Sequence, residues 1–143
     1  MSLRFGCFVT GTDTGVGKTL VSAALVHKLA AKGWRAAGMK PLAAGAEMRD
    51  GQLWNEDVAM LTAQASVPLP VELVCPLMFR EAAAPHIAAT LEDRDIDIDT
   101  VMAAYRQISS QVDALVVEGV GGFRVPLSDD LDTADLAAQM QLG

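Results

Sequence analysis

Nine residues near the start of the chain, Gly11 to Thr19 (GTDTGVGKT), combine glycines, a lysine and a hydroxyl in the pattern needed to hold phosphate. Backbone N–H groups must turn inward to touch phosphate oxygens, and a helix must begin there so that its positive end meets the anion. Gly15 and Gly17 permit the turn, Lys18 reaches the β- and γ-phosphates as a point charge, and the Thr19 hydroxyl completes a magnesium shell. The spacing departs from GxxxxGK[ST]: the position five residues before Gly17 is Thr12, and the first glycine, Gly11, lies one residue earlier. A plain strand-to-helix turn with an incidental lysine is the competing reading. The setting favours phosphate, because an apolar run, Phe5 to Val9, precedes the loop and a helix-like stretch, Leu20 to Ala31, follows it.

Three further residues carry charge at places where a sheet would present it to a ligand. In Asp113-Ala-Leu-Val-Val-Glu118-Gly119-Val120-Gly121-Gly122 an apolar strand ends at a carboxylate followed by glycines that allow close backbone approach. Ligands bind at the C-terminal ends of parallel strands, so Glu118 faces the phosphate loop from a neighbouring strand, as a magnesium ligand or proton acceptor. Asp57 is the natural second carboxylate. Lys40-Pro41 ends another short strand, and a second cation there stabilises charge on a transferring phosphoryl group. Taken singly, an acid or a lysine at a strand end is more often a solvated charge.

The elements that must position these residues alternate between strand and helix, the signature of a doubly wound parallel sheet with helices on both faces. The first strand is expected over Arg4 to Thr10. In the following helix Leu20, Ala24, Leu25, Lys28 and Leu29 follow helical spacing with the apolar members on one side, and Gly33 stops it. Ala36 to Met39 reads as the second strand, followed by an Ala- and Gly-rich loop until Asn55 caps a helix carrying Val58, Met60 and Leu61, with Asp57 in its first turn. Val71 to Val74 is compatible with a strand or an extended connection. Pro85-His86 opens a short helix, Asp93 to Asp99 reads as a solvated acidic loop, and Asp99 as the cap of a helix from Thr100 to about Val112. Ala114 to Val117 is a buried strand and Ala134 to Met140 a final helix. With three strands and a helix closing at Leu142-Gly143, further strands are expected after residue 143, in a single phosphate-loop α/β domain of which 1–143 is an incomplete part.

Composition narrows the partners. A 143-residue chain is enough for one domain, and near that size roughly 68 to 70% of the unfolded surface is buried on folding. With 18 acidic against 11 basic residues and a net charge of −7, no basic surface for nucleic acid or anionic lipid is expected. Anionic substrates must therefore be drawn in locally, by Lys18, Lys40 and backbone N–H groups. Cys7 and Cys75 lack ligand or redox spacing and read as small hydrophobes. Neither a leader pattern nor a membrane-length apolar run is evident, which points to a cytoplasmic protein.

The set GTDTGVGKT, Lys40-Pro41 with Ala43-Ala44-Gly45, Asn55-Glu56-Asp57, Ala84-Pro85-His86 and Glu118-Gly119-Val120-Gly121-Gly122 resembles the dethiobiotin synthetases, in order and across essentially the whole chain. The resemblance implies a homodimeric, doubly wound enzyme that uses ATP and Mg2+ to close a ureido ring from 7,8-diaminopelargonic acid and carbon dioxide. By motif, it implies that Thr14, Gly15, Val16, Gly17, Lys18 and Thr19, with Leu20 after them, hold nucleotide. It likewise assigns Thr19, Asp57 and Glu118 to magnesium, and Thr14, Lys18 and Lys40 to the reacting phosphate and carbamate. Gly119, Val120 and Gly121 would line the nucleotide or substrate, and Ala44 and Pro85 the diamine, with His86 structural rather than a base. Gly15 stands where many members carry Glu, and Ala44 where Ser or Thr is usual; the latter removes about one hydrogen bond, on the order of 0.5–1.5 kcal/mol. Two other readings are a corrin-pathway amidoligase with the same loop, which normally adds a glutamine-hydrolysing domain, and a partition-type nucleotide switch, whose extra loop lysine is replaced here by Asp13.

Overall fold

The computed structural model describes residues 3–11, 17–122 and 124–142. Its centre is a parallel sheet of β1 (Phe5–Val9), β2 (Ala36–Met39) and β7 (Ala114–Glu118) in the order β1-β7-β2. β7 thus fills the gap between the first two strands, and all five of its residues are buried. The pairing register runs Val9↔Glu118 on one side and Met39↔Val117 on the other. Short Val- and Ala-rich runs without polar alternation are what a strand covered on both faces requires.

Side chains alternate between two cores. Ala36, Ala114 and Val116 pack with Val26 of α1 (Lys18–Ala31), whereas Ala37, Met39, Leu115 and Val117 pack with α5 (Ile98–Ser109) and α6 (Thr133–Met140) through residues such as Val101, Ile108, Leu136 and Met140. On the first face α2 (Glu56–Gln64) lies against β2, where Leu61 meets Gly38. By the same two-residue period, Lys40 and Glu118 project toward the α1 face.

Several expectations are corrected. The buried face of α1 is Lys18, Ser22, Ala23 and Val26, while Leu20 is 68% and Val21 53% exposed. The reason is that Lys18 points inward, and residues four apart share a helical face. The connection after β2 is more ordered than a loop. It contains β3 (Leu42–Ala43) and a hairpin of β4 (Glu47–Arg49) and β5 (Gln52–Trp54), turned by Asp50-Gly51 at φ 51° and 77°. Asp-Gly suits a two-residue turn with both φ positive, and was the available signal. Val71–Val74 is a single helical turn, α3, placed after Pro70 with Val74 buried. β6 (Leu77–Met78) then pairs with β3 in parallel. The cap of α5 is Asp97 rather than Asp99: its carboxylate accepts from the Asp99 N–H at 3.0 Å and the Thr100 hydroxyl at 2.8 Å, so the helix starts two residues earlier and ends at Ser109.

Other expectations agree. Asn55 caps α2 through the Val58 N–H at 3.1 Å, and Pro85 opens α4 (Pro85–Leu91) at its first turn. A reciprocal Asp132–Asp135 box starts α6. Among the described residues no helix is long and apolar enough to cross a membrane.

A Cβ at Gly38 would lie 2.8 Å from Leu61 Cδ2 and 3.1 Å from Leu61 Cβ. Gly38→Ala is therefore expected to destabilise the protein by about 1–3 kcal/mol through overpacking. The penalty should shrink in a Leu61→Ala background, as read from urea midpoints across the four-member cycle.

Candidate functional site

The C-terminal ends of β2 and β7 and the start of α1 open on one cavity of about 840 Å3, within the range of small-molecule sites. Lys18, Thr19, Lys40, Asp57 and Glu118 all line it, as do Gly17, Leu20, Ala44, Pro85, Val120 and Gly121. Thr14, Gly15 and Val16 lie outside the described residues. Gly119 is not on the cavity wall: it is buried, its N–H donates to Val9 O at 2.9 Å, and a Cβ there would meet Phe8 at 3.0 Å. His86 is exposed and absent from the wall.

Charge in the cavity is organised around Glu118, which is 1% exposed. Extending the β2–β7 register by one residue from Met39↔Val117 sets Lys40 beside it. The Lys40 ammonium donates to Glu118 Oε2 at 2.7 Å and lies 3.5 Å from Asp57 Oδ2. The Thr19 hydroxyl donates to the same Glu118 oxygen at 2.8 Å. Lys40 is itself buried, and its backbone is tied down: the Lys40 N–H donates to Val74 O at 2.8 Å, and Pro41 O accepts from Leu77 N–H at 3.1 Å. The α3 turn and the β3–β6 pairing therefore fix where Lys40 leaves the sheet. Lys18 is buried and donates to Gly121 O at 2.7 Å, in a turn where Gly121 takes φ 63°.

The residues present suit magnesium. Glu118 Oε1 is buried with no hydrogen-bond partner among the described residues, a cost of about 1–3 kcal/mol that a bound cation would relieve. Two carboxylates and a hydroxyl form a hard, oxygen-only donor set, and magnesium typically takes few protein ligands and completes its octahedron with water and phosphate oxygens. Among the described residues no group of three or more His, Cys, Asp or Glu is placed to hold a metal, so the donor set rests on two carboxylates and the Thr19 hydroxyl.

The rest of the wall is apolar and made of small side chains: Ala82, Ala83 and Ala84 join Ala44, Pro85 and Val125. The segment 82–84 is held opposite Ala44 by Gly45 N–H donating to Glu81 O at 3.0 Å and Phe79 N–H to Ala43 O at 2.7 Å. Sequence reasoning missed Ala82, Ala83 and Val125 as wall residues, since alanines and a valine in connections carry no chemical signal. Asn55 was legible only as a cap; its position beside Asp57 in the motif was the clue to its place on the wall.

Comparison with known families matches residues 6–143 to the model described as an AAA domain, a family that includes dethiobiotin synthetase-like P-loop ATPases.

Cys75 lies beneath the Lys40 turn, fully enclosed. Burial pushes its thiol up to about 12, against the opposing pull of the Lys40 charge and a weak contact to Leu77 O at 3.7 Å. The folded state therefore keeps a proton that the unfolded chain releases near pH 9.0. Stability should fall as pH rises from 9 toward 12, by up to about 1.4 kcal/mol per unit from this group. Chemical denaturation of wild type and Cys75→Ala across that range isolates the effect, which the alanine variant should lack.

Proposed function

Since the chain belongs to this AAA-domain family of P-loop ATPases, we propose that it is an ATP- and magnesium-dependent ligase that closes a ureido ring, converting 7,8-diaminopelargonic acid and carbon dioxide to dethiobiotin. The observation that carries this reading is the second buried lysine. A phosphate loop alone needs only Lys18. Lys40, placed in the same cavity, suits a reaction in which two anions must meet, a carbamate and a terminal phosphate. The apolar wall of Ala44, Ala82, Ala83 and Pro85 offers space for an aliphatic substrate beside the nucleotide.

In this mechanism one amine of the substrate adds to the carbon of carbon dioxide and loses a proton, giving a carbamate. A carbamate oxygen attacks the γ-phosphorus as the bond to ADP breaks, and the mixed anhydride is then opened by the second amine, which closes the ring and expels phosphate. Lys18 holds the β- and γ-phosphates, and Lys40 neutralises charge shared between carbamate and γ-phosphate. Bound magnesium supplies charge neutralisation to the phosphates, and Thr19, Asp57 and Glu118 would hold it. Thr14 to Val16 complete the phosphate cradle in this reading, with Leu20, Val120 and Gly121 beside the nucleotide. The resemblance also carries a homodimer working in the cytoplasm, and the charge of −7 gives no support to a nucleic-acid or membrane partner.

The full gene product with magnesium and ATP should release phosphate faster when both the diamine and bicarbonate are present than with either alone. One rate under all four conditions would sink the reading. Lys40→Ala should abolish that stimulation while ATP binding, by calorimetry, stays within about tenfold, because Lys18 still grips the phosphates.

A further inference from the structure

We propose that Lys40 is also the resident counter-ion of the cavity, holding the cation position between Asp57 and Glu118 until a nucleotide draws it away. This inference rests on the nucleotide and magnesium reading above. The Lys40 ammonium sits 2.7 Å from Glu118 Oε2 and 3.5 Å from Asp57 Oδ2, which places a positive charge between the two carboxylates assigned to the metal. The third ligand is engaged as well, since the Thr19 hydroxyl donates to the same Glu118 oxygen. Each of the three thus has one oxygen engaged: Asp57 Oδ2 and Glu118 Oε2 by Lys40, and the Thr19 hydroxyl through that same Glu118 oxygen.

A divalent cation on Glu118 Oε2 and this clasp exclude each other. Magnesium would need carboxylate oxygens at about 2.0–2.1 Å. Placing it on an oxygen that already binds an ammonium sets two cations within a few ångström, in a site where Lys40 is 5% and Glu118 1% exposed and solvent screens little. Nor can the clasp simply dissolve without a replacement, because a buried carboxylate left unpaired is strongly destabilising. Glu118 Oε1, with no hydrogen-bond partner among the described residues, shows that one ammonium and one hydroxyl leave the carboxylate only half satisfied there. The terminal phosphate of a nucleotide offers Lys40 a denser negative charge in the same cavity, and the metal that arrives with it takes over Glu118. Metal affinity is therefore scaled down to the fraction of molecules in which Lys40 has left the site, and nucleotide removes that reduction. The clasp offsets part of the charge of the two carboxylates and keeps the second lysine beside the place where it works.

Manganese binding, followed by electron paramagnetic resonance without nucleotide, tests this directly. Lys40→Met, of similar length but uncharged, should bind Mn2+ about tenfold or more tightly than wild type, and Mn2+ should raise its melting temperature while leaving wild type unmoved. The gain should vanish in Lys40→Met/Glu118→Gln. Lys40→Gln, which can still donate to Glu118, serves if the methionine variant does not fold, and the same gain is expected. Equal Mn2+ affinity of wild type and the uncharged variant without nucleotide overturns the clasp, whatever happens with nucleotide. Absence of Mn2+ binding in every form, even with a non-hydrolysable ATP analogue, overturns the metal reading and the clasp with it.

Discussion

The structure turns on one buried ion pair, Lys40 with Glu118, set by the parallel pairing of β2 and β7. An isolated charge at this depth would be prohibitively costly, and a buried pair is tolerated only where geometry and further hydrogen bonds are good. Here the register brings the two strand ends level, the period of two sends both side chains to the α1 face, and the Thr19 hydroxyl adds a second donor. Breaking such a pair typically costs about 3–5 kcal/mol. Its persistence in an otherwise apolar centre is therefore a sign of use rather than of stability.

Much of the remaining fold serves that geometry. α1 turns Lys18 and Thr19 inward at the expense of leaving Leu20 and Val21 exposed. The α3 turn accepts the Lys40 N–H, and the β3–β6 pair carries Ala43 and Phe79 past each other so that two alanine segments close the cavity wall. α2 brings Asp57 from outside the sheet, with Asn55 capping the helix at the point where it meets the cavity. The acidic chain thus places two buried lysines where an anion is expected, each held by a partner distant in sequence, Gly121 for Lys18 and Glu118 for Lys40.

How much of this was legible follows from the range of each interaction. β2 and β7, the Asn55 cap and Pro85 at the head of α4 rest on short-range patterning, and were readable. The hairpin at Asp50-Gly51 had a local signal as well, which was overlooked among the flanking alanines and glycines. The one-turn α3 had none: four residues of Val-Glu-Leu-Val suit a strand as well as a helix, and burial of Val74 together with the bond to Lys40 decided between them. Apolar spacing alone points to the wrong face of α1, because the inward turn of Lys18 fixes the helix's rotation.

From the sequence alone came the chemical inventory: a variant phosphate loop, a lysine and a carboxylate at strand ends, a second carboxylate in a helix's first turn, and a family resemblance built on their order. These are matters of residue type and local spacing, which a linear chain displays openly. Only the tertiary structure decided that Lys40 and Glu118 touch, that among the described residues one carboxylate oxygen takes two donors while the other takes none, and that alanines far apart in the chain share a wall. Those facts depend on strand order and register between segments up to 99 residues apart, as in the Thr19–Glu118 contact, and no local pattern encodes them.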